Sequence, residues 1–283
     1  ENNVNEYDLI FGEYHDLIKL TKYSVNIPTE IRDFYLKNDL KLLDNILPLD
    51  LDTFIIVSKS SQKKINTLEE LSNLYDPIRY TLGISFNSTN KFSELITYNT
   101  NLDKFEVEEL ENESFLISLK KTYKNLNKNI LSSDYLEIYN SYENDENVYT
   151  LFSDGFILNK NIKYLSYQLF PQSKYKWNGD LGTFVEREKN IPVSYYGFSA
   201  YINNNKQFGF LCHLLKDEVR KNSFKNFNIS LSPLSVHEVK NFDDLPKDYL
   251  DILGSKNQNI SSIDYDSFSS NLELIKAIIF EDK

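Results

Sequence analysis

Apolar residues fall along this chain in short clusters whose spacing alternates between the period of a strand and that of a helix. Leu9-Ile10-Phe11, after an acidic start, predicts a short buried strand. Asp16–Leu20 and Thr29–Tyr35 predict helical turns, the second opened by Pro28 and Thr29. Leu47-Pro48-Leu49 is extended and leads into a strand at Thr53–Val57. Ile65–Leu71 predicts a helix capped by Asn66 or Thr67, with Glu69 and Glu70 in its first turn. Tyr80–Ser85 predicts a strand, Asn87–Asn90 a set of cap residues, and Lys91–Tyr98 a helix. Further on, the pattern predicts a helix over Phe115–Asn125 and a polar turn over Asn140–Asn147. Val148–Leu158 reads as strand, turn at Ser153-Asp154-Gly155, and second strand. Tyr164–Phe170 and Val193–Ile202 read as strands, and Gln172–Asn190 as a long polar loop. Gln207–Lys221 predicts one amphipathic helix with Phe208, Leu211, Cys212, Leu215 and Val219 on a single stripe, and Phe268–Ile279 predicts the last helix. Strands alternating with helices imply an α/β fold.

The chain has 283 residues, enough for two lobes, and its 41 % hydrophobic content is that of a globular protein. A formal charge of -11 argues against a nucleic-acid surface, which needs clustered Lys and Arg. The single cysteine, Cys212, rules out an internal disulfide. Methionine is absent, and the richness in Asn, Lys, Ile and Tyr lowers the information carried by any single Asn. No window approaches 18 consecutive apolar residues, and the chain opens on Glu1, as a processed or trimmed form would.

Enzyme signatures are missing. There is no Gly-x-Ser-x-Gly elbow, Walker loop, Gly-x-Gly-x-x-Gly or His-Glu-x-x-His. Cys212-His213 lies on the amphipathic helix, where a core role for Cys212 outweighs a ligand or nucleophile role. The expectation is a non-catalytic protein with no cofactor and no metal.

The order of features resembles the extracellular solute-binding proteins of ABC transporters, in particular the spermidine/putrescine-binding branch. Tyr7-Asp8-Leu9-Ile10-Phe11-Gly12 is similar to the family's strand that opens on the ligand cleft. Leu36–Pro48 is similar to its approach to the first crossover, and Ile65–Leu71 to the turn where the second lobe begins. Leu82–Leu95 resembles the second-lobe strand, ligand loop and helix, and Val148–Gly155 the small-residue strand facing the cleft. Val193–Glu218 resembles the return strand and its helix, and Ser232-Pro233 and Leu245-Pro246-Lys247-Asp248 the closing segments.

Two departures stand out. The family has roughly one more βαβ unit, on the order of 50 residues, before the Tyr-Asp-Leu strand, where six residues stand here. The expectation is a truncated chain or a remodelled first lobe. The carboxylates that hold polyamines fall at Asn87 and Asn90, the stacking tryptophans near Ser153 and Tyr195, and the acid after the latter near Gly197.

What the resemblance implies is a two-lobed periplasmic-binding-protein-like fold with crossing hinge strands near Pro48–Val57 and Ile191–Ile202. Lobe 1 would comprise 1–57 plus about 196–235, and lobe 2 about 58–195 plus about 236–283. The protein would be a periplasmic or extracellular monomer, lipid-anchored before processing where its leader carries the anchor. It would deliver a small polar, amine-containing solute to a membrane permease. Ligand contacts would come from strand ends: Glu13, Tyr14 and His15; Asn87, Ser88 and Asn90; Asp154; and Tyr195 and Tyr196. Tyrosine offers an apolar face and a polar tip, and Glu13 and Asp154 suit a cationic group. Each has a plainer reading: Asn87–Asn90 as a helix cap, Asp154-Gly155 as a tight turn, Glu13 as surface, and one of Tyr195 and Tyr196 as core. Tyr195, Tyr196, His15 and Glu13 also fit a ferric-ion binder of the same fold, and an α/β enzyme without a linear motif or an interaction protein are the further alternatives.

Overall fold

The computed structural model describes residues 7–20, 25–42, 45–59, 64–74, 80–85, 89–104, 120, 134–160, 166–226, 239 and 245–280. In chain order the elements are β1 (Leu9–Glu13), α1 (Tyr14–Leu17), α2 (Thr29–Lys37), β2 (Ile46–Pro48), β3 (Leu51–Asp52), β4 (Phe54–Ser58), α3 (Leu68–Ser72), β5 (Tyr80–Gly83) and α4 (Thr89–Thr100). They continue with α5 (Tyr135–Glu143), β6 (Asn147–Ser153), α6 (Asp154–Lys160), β7 (Ser166–Leu169), β8 (Tyr175–Asn178), β9 (Thr183–Glu186), β10 (Tyr195–Tyr196) and β11 (Phe198–Ile202). The last are α7 (Phe208–Leu214), α8 (Asp217–Asn226), α9 (Lys247–Gly254) and α10 (Tyr265–Phe280). The fold is mixed α/β with several small sheets. Among the described residues no helix is long and apolar enough to cross a membrane.

The chain divides into two compact units, each assembled from three separate stretches. Unit 1 is Glu1–Thr53, Asp154–Ile162 and Pro192–Ile260; unit 2 is Phe54–Ser153, Lys163–Ile191 and Ser261–Lys283.

Unit 1 holds the antiparallel sheet β1-β11-β2, in which Leu9 faces Ile202, Glu13 faces Phe198, and Tyr201 faces Ile46. Ala200 and Ile202 on one face of β11 pack with Ile31, Tyr35, Leu47 and Leu211, while Tyr201 on the other face packs with Leu17 and Ile46. This is the period-2 division expected of a strand buried on both faces. In α2, Ile31 and Tyr35 lie one turn apart on the buried stripe, and the helix ends where Asp39 takes a φ of 56°. The Tyr35 hydroxyl donates to the Pro48 carbonyl, tying helix to sheet.

The single strand expected over Val193–Ile202 is two strands. β10 pairs with β3 (Tyr195 facing Asp52) and β11 with β1 and β2, with Gly197 at the break. A Cβ at position 197 would lie 2.2 Å from Asp50 Oδ1, so a side chain there would displace the Asp50 carboxylate. The single helix expected over Gln207–Lys221 is likewise two, α7 and α8. The Lys216 N–H bonds back to the His213 carbonyl in a tight final turn, and Asp217 and Glu218 supply the acidic first turn of the next helix. Phe208, Leu211 and Leu215 are buried as the stripe requires; Cys212 is half-buried.

Unit 2 is built on the sheet β5-β6-β4-β7, with β5 and β6 parallel and the other pairs antiparallel. All five residues of β4 are buried, which accounts for the continuous apolar run from Phe54 to Val57. The Thr67 side chain accepts from Glu70 N and caps α3, and Asp134 and Glu137 form a reciprocal capping box on α5. In α4, Phe92, Leu95, Ile96 and Tyr98 are buried, each apolar side chain contributing about 1.5–3 kcal/mol by its removal from water. The Tyr98 hydroxyl is satisfied by the Phe170 carbonyl at 2.9 Å.

Where Gln172–Asn190 reads as loop, the structure has the hairpin β8–β9, in which Trp177 meets Phe184 at 5.3 Å. Its turn closes because Asn178 Oδ1 accepts from the N–H groups of Asp180 and Leu181 and Gly182 adopts a φ of 58°. The second strand expected after Gly155 is the helix α6. The helix expected over Phe115–Asn125, Lys120 apart, and the closing motif Ser232-Pro233 lie outside the described residues.

Candidate functional site

The strand ends of unit 1 carry most of the predicted contacts. β1 runs directly into α1, and the Tyr14 N–H bonds to the Gly197 carbonyl at 2.9 Å, fixing the β1 end against β11. Glu13 is exposed and Tyr14 half-buried. The Tyr14 ring meets that of Tyr196 edge-on at 5.4 Å. Tyr196 is 6 % exposed, and its hydroxyl donates to the Lys41 carbonyl and accepts from the Lys41 N–H, both at 3.3 Å. Burial pushes both phenols above the ordinary tyrosine value. His15 is buried, with Nε2 3.5 Å from the Asp16 carboxylate. Tyr195 is 1 % exposed and occupies the strand position next to Tyr196, so the two rings take opposite faces of β10. The structure therefore brings Tyr14 and Tyr196 together and separates Tyr195 from Tyr196.

Asp154 has a different setting. It is the first residue of α6 and is fully buried. Its Oδ1 accepts from Thr53 N at 2.7 Å and its Oδ2 from Lys256 Nζ at 2.6 Å. An ammonium does sit on this carboxylate, as the sequence expectation required of a ligand, but it belongs to the chain itself. Lys256 is 1 % exposed and also donates to the Leu51 carbonyl. Asp52 lies within hydrogen-bonding reach of Asp154 and accepts from Gly155 N at 3.2 Å. The Tyr249 hydroxyl donates to the Asp154 carbonyl at 3.3 Å. Burial raises the Asp154 carboxyl to about 7; Lys256 pulls against the rise and Asp52 adds to it.

These bonds bind together short pieces that are distant in sequence. The Asp154 N–H bonds to the Thr53 carbonyl, the Thr53 hydroxyl to the Val193 carbonyl, and the Ser194 N–H to the Asn259 carbonyl. The tight turn expected at Ser153-Asp154-Gly155 gives way to a helix start because these non-local partners take up its polar groups. Lys256, Asp52, Thr53 and Tyr249 are absent from the sequence-predicted site. The one local signal was Asp50-Leu51-Asp52, two acids two apart in an otherwise apolar stretch, which puts both on one face of a strand.

In unit 2, Asn90 lies half-buried in the first turn of α4; Asn87 and Ser88 lie outside the described residues. One turn on, Glu94 is 2 % exposed, accepts from Lys91 Nζ at 2.9 Å and from the Tyr265 hydroxyl at 3.1 Å, and so joins α4 to α10.

Unit 1 also presents an apolar groove of about 590 Å³ along β1, lined by Leu9, Ile10, Phe11, Asp16, Leu17 and Leu20 among others. Glu13, Tyr14 and His15 are not among the residues that line it. Among the described residues no group of three or more His, Cys, Asp or Glu side chains is placed to hold a metal ion. The sequence matches no protein-family model and no curated protein.

Proposed function

We propose that this chain is the solute-binding component of an ABC importer, a non-catalytic monomer that captures a small polar solute outside the cytoplasmic membrane. The observation that carries the reading is the division of the chain. Both units are α/β, both are assembled from separated stretches, and the boundaries Thr53/Phe54, Ser153/Asp154 and Ile191/Pro192 adjoin the ends of strands or extended segments. Chains that close around a solute by hinge motion are organised in this way. The resemblance of Tyr7–Gly12, Ile65–Leu71 and Leu82–Leu95 to that family supports the same reading.

Within it, the residues of unit 1 suited to meet a solute are those at the β1 end whose side chains reach water, Glu13 and Tyr14. A carboxylate and a phenol face suit a ligand bearing an amine. Asp154 and Tyr195, buried and engaged with the chain, then act by holding the fold.

Thermal-shift measurements with panels of amines, amino acids, sugars and metal ions test the proposal. One polar solute class should raise the melting temperature. Calorimetry on that solute should show Tyr14→Ala weakening affinity by about 1–3 kcal/mol, the range for truncating a buried aromatic contact. Asp154→Asn should leave affinity for that solute within about threefold at 25 °C while changing stability. A panel that shifts nothing, or a Tyr14→Ala variant that binds unchanged, removes the support for this reading.

A further inference from the structure

Two carboxyl groups and one ammonium meet where β3, α6 and the turn after α9 come together in unit 1. Asp154 is fully buried, Lys256 is 1 % exposed, and Asp52 is half-buried beside them. With both acids ionised, the buried Asp154–Lys256 pair has beside it a second carboxylate that water reaches only in part, an excess of one negative charge that is unfavourable. One proton shared between the carboxyls brings the net charge to zero and supplies the O–H that a carboxyl–carboxylate contact needs.

The same atoms hold the backbone. Asp154 Oδ1 accepts from Thr53 N, Asp52 Oδ1 from Gly155 N, and Lys256 reaches the Leu51 carbonyl. A change in the charge of the group therefore acts on residues 51–53 and 154–155. Among the described residues, side chains that face Asp154 from the surrounding elements include Asp52 on β3, Lys256 in the turn after α9 and Tyr249 on α9; Tyr195 on β10 pairs with Asp52 through the backbone.

We infer that Asp52, Asp154 and Lys256 form a proton-operated latch on the segments 51–53 and 154–155, tighter when the carboxyl pair takes up one proton from water and eased as that proton leaves. The raised Asp154 value agrees with this sense. The folded, closed group binds the proton better than the open one does, so acidification favours closure and rising pH favours local opening. The inference concerns unit 1 alone and does not rest on the solute-binding proposal.

Hydrogen–deuterium exchange on the full chain at pH 5.5 and pH 8.0, corrected for intrinsic exchange rates, tests it. Protection of peptides covering 51–55 and 153–156 should be roughly tenfold or more higher at pH 5.5, while a peptide from α4 in unit 2 stays unchanged. Asp154→Asn should abolish the difference. Asp52→Asn leaves a one-to-one ion pair that needs no proton, so the pH dependence should move to lower pH; this variant decides the matter if Asp154→Asn fails to fold. Equal protection of the wild-type peptides at both pH values, or the same pH dependence in a folded Asp154→Asn or Asp52→Asn variant, overturns the latch.

Discussion

Among the described residues two buried carboxylates meet lysines, one in each unit, and they are built differently. Glu94 is paired with Lys91 three residues earlier on α4, and the Lys91 side chain is 18 % exposed. Asp154 is paired with Lys256, 102 residues away, with 0 % and 1 % of the two side chains exposed. Glu94 has a phenol as its further partner, which donates to a carboxylate without adding charge. Asp154 has a second carboxyl, which adds charge. The first pair is a local helix contact strengthened by a hydroxyl. The second is a tertiary junction whose charge does not balance unless a proton is present. The cost of disrupting each should follow that difference.

The largest effect is expected at Lys256. Lys256→Met leaves the Asp154 carboxylate buried beside Asp52 with no cation, at a cost of about 3–5 kcal/mol in urea unfolding. The double variant Asp154→Asn with Lys256→Met should recover part of that loss; a Lys256→Met loss below about 1 kcal/mol would make the junction no different from a surface pair. Next is the pH dependence. The Asp154 carboxyl lies at about 7 folded against 3.8 as its ordinary value. Its stabilising contribution is therefore full below the ordinary value and is lost as pH rises through about 7, by at most about 1.4 kcal/mol per pH unit. Urea titrations from pH 5 to 8 should show this decline in the wild type and a flatter profile in Asp154→Asn. In unit 2, Tyr265→Phe removes a hydrogen bond to a charged acceptor and should cost about 1.5–3 kcal/mol without a pH signature near 7. Smallest is Lys91→Met: its side chain is partly exposed, and the expected loss is about 1 kcal/mol or less. A larger loss there than at Lys256 would invert the comparison.

The same contrast marks what was legible in the sequence. Glu94, Thr67 and Ile31 are explained by neighbours three or four residues away, and the helices that contain them fall where periodicity and caps put them. β4 was legible because it is a short apolar run between polar breaks; β1 stands where its apolar run put it, but it is half-exposed where a buried strand was expected. The helix at 154–160 was not: Ser-Asp-Gly has turn chemistry, and only Thr53 N and Lys256, both about 100 residues distant, make a helix start the better solution. At Gly197 the Asp50 carboxylate approaches from another stretch, and the hairpin 175–186 closes on the loop 179–182, whose left-handed residue is Gly182, inside polar sequence. Of the candidate site, the chemical types at the strand ends were readable. Which of them face water and which face the chain was not, because burial of Tyr195 and Asp154 is decided by β3 and the turn after α9.

The assembly of unit 1 from distant stretches also sets an order of events during synthesis. β1 pairs with β11 so that Glu13 lies opposite Phe198, 198 − 13 = 185 residues later. At a ribosomal rate of about 5–20 residues per second, Leu9 and Phe11 wait about 10–40 s for their partner strand. During that interval β4 and β6, which complete most of the unit 2 sheet, are already available to pair. The unit 2 sheet thus has the means to form before β1 finds its partner, while α10, the last stretch of that unit, joins it only after β11 has been made.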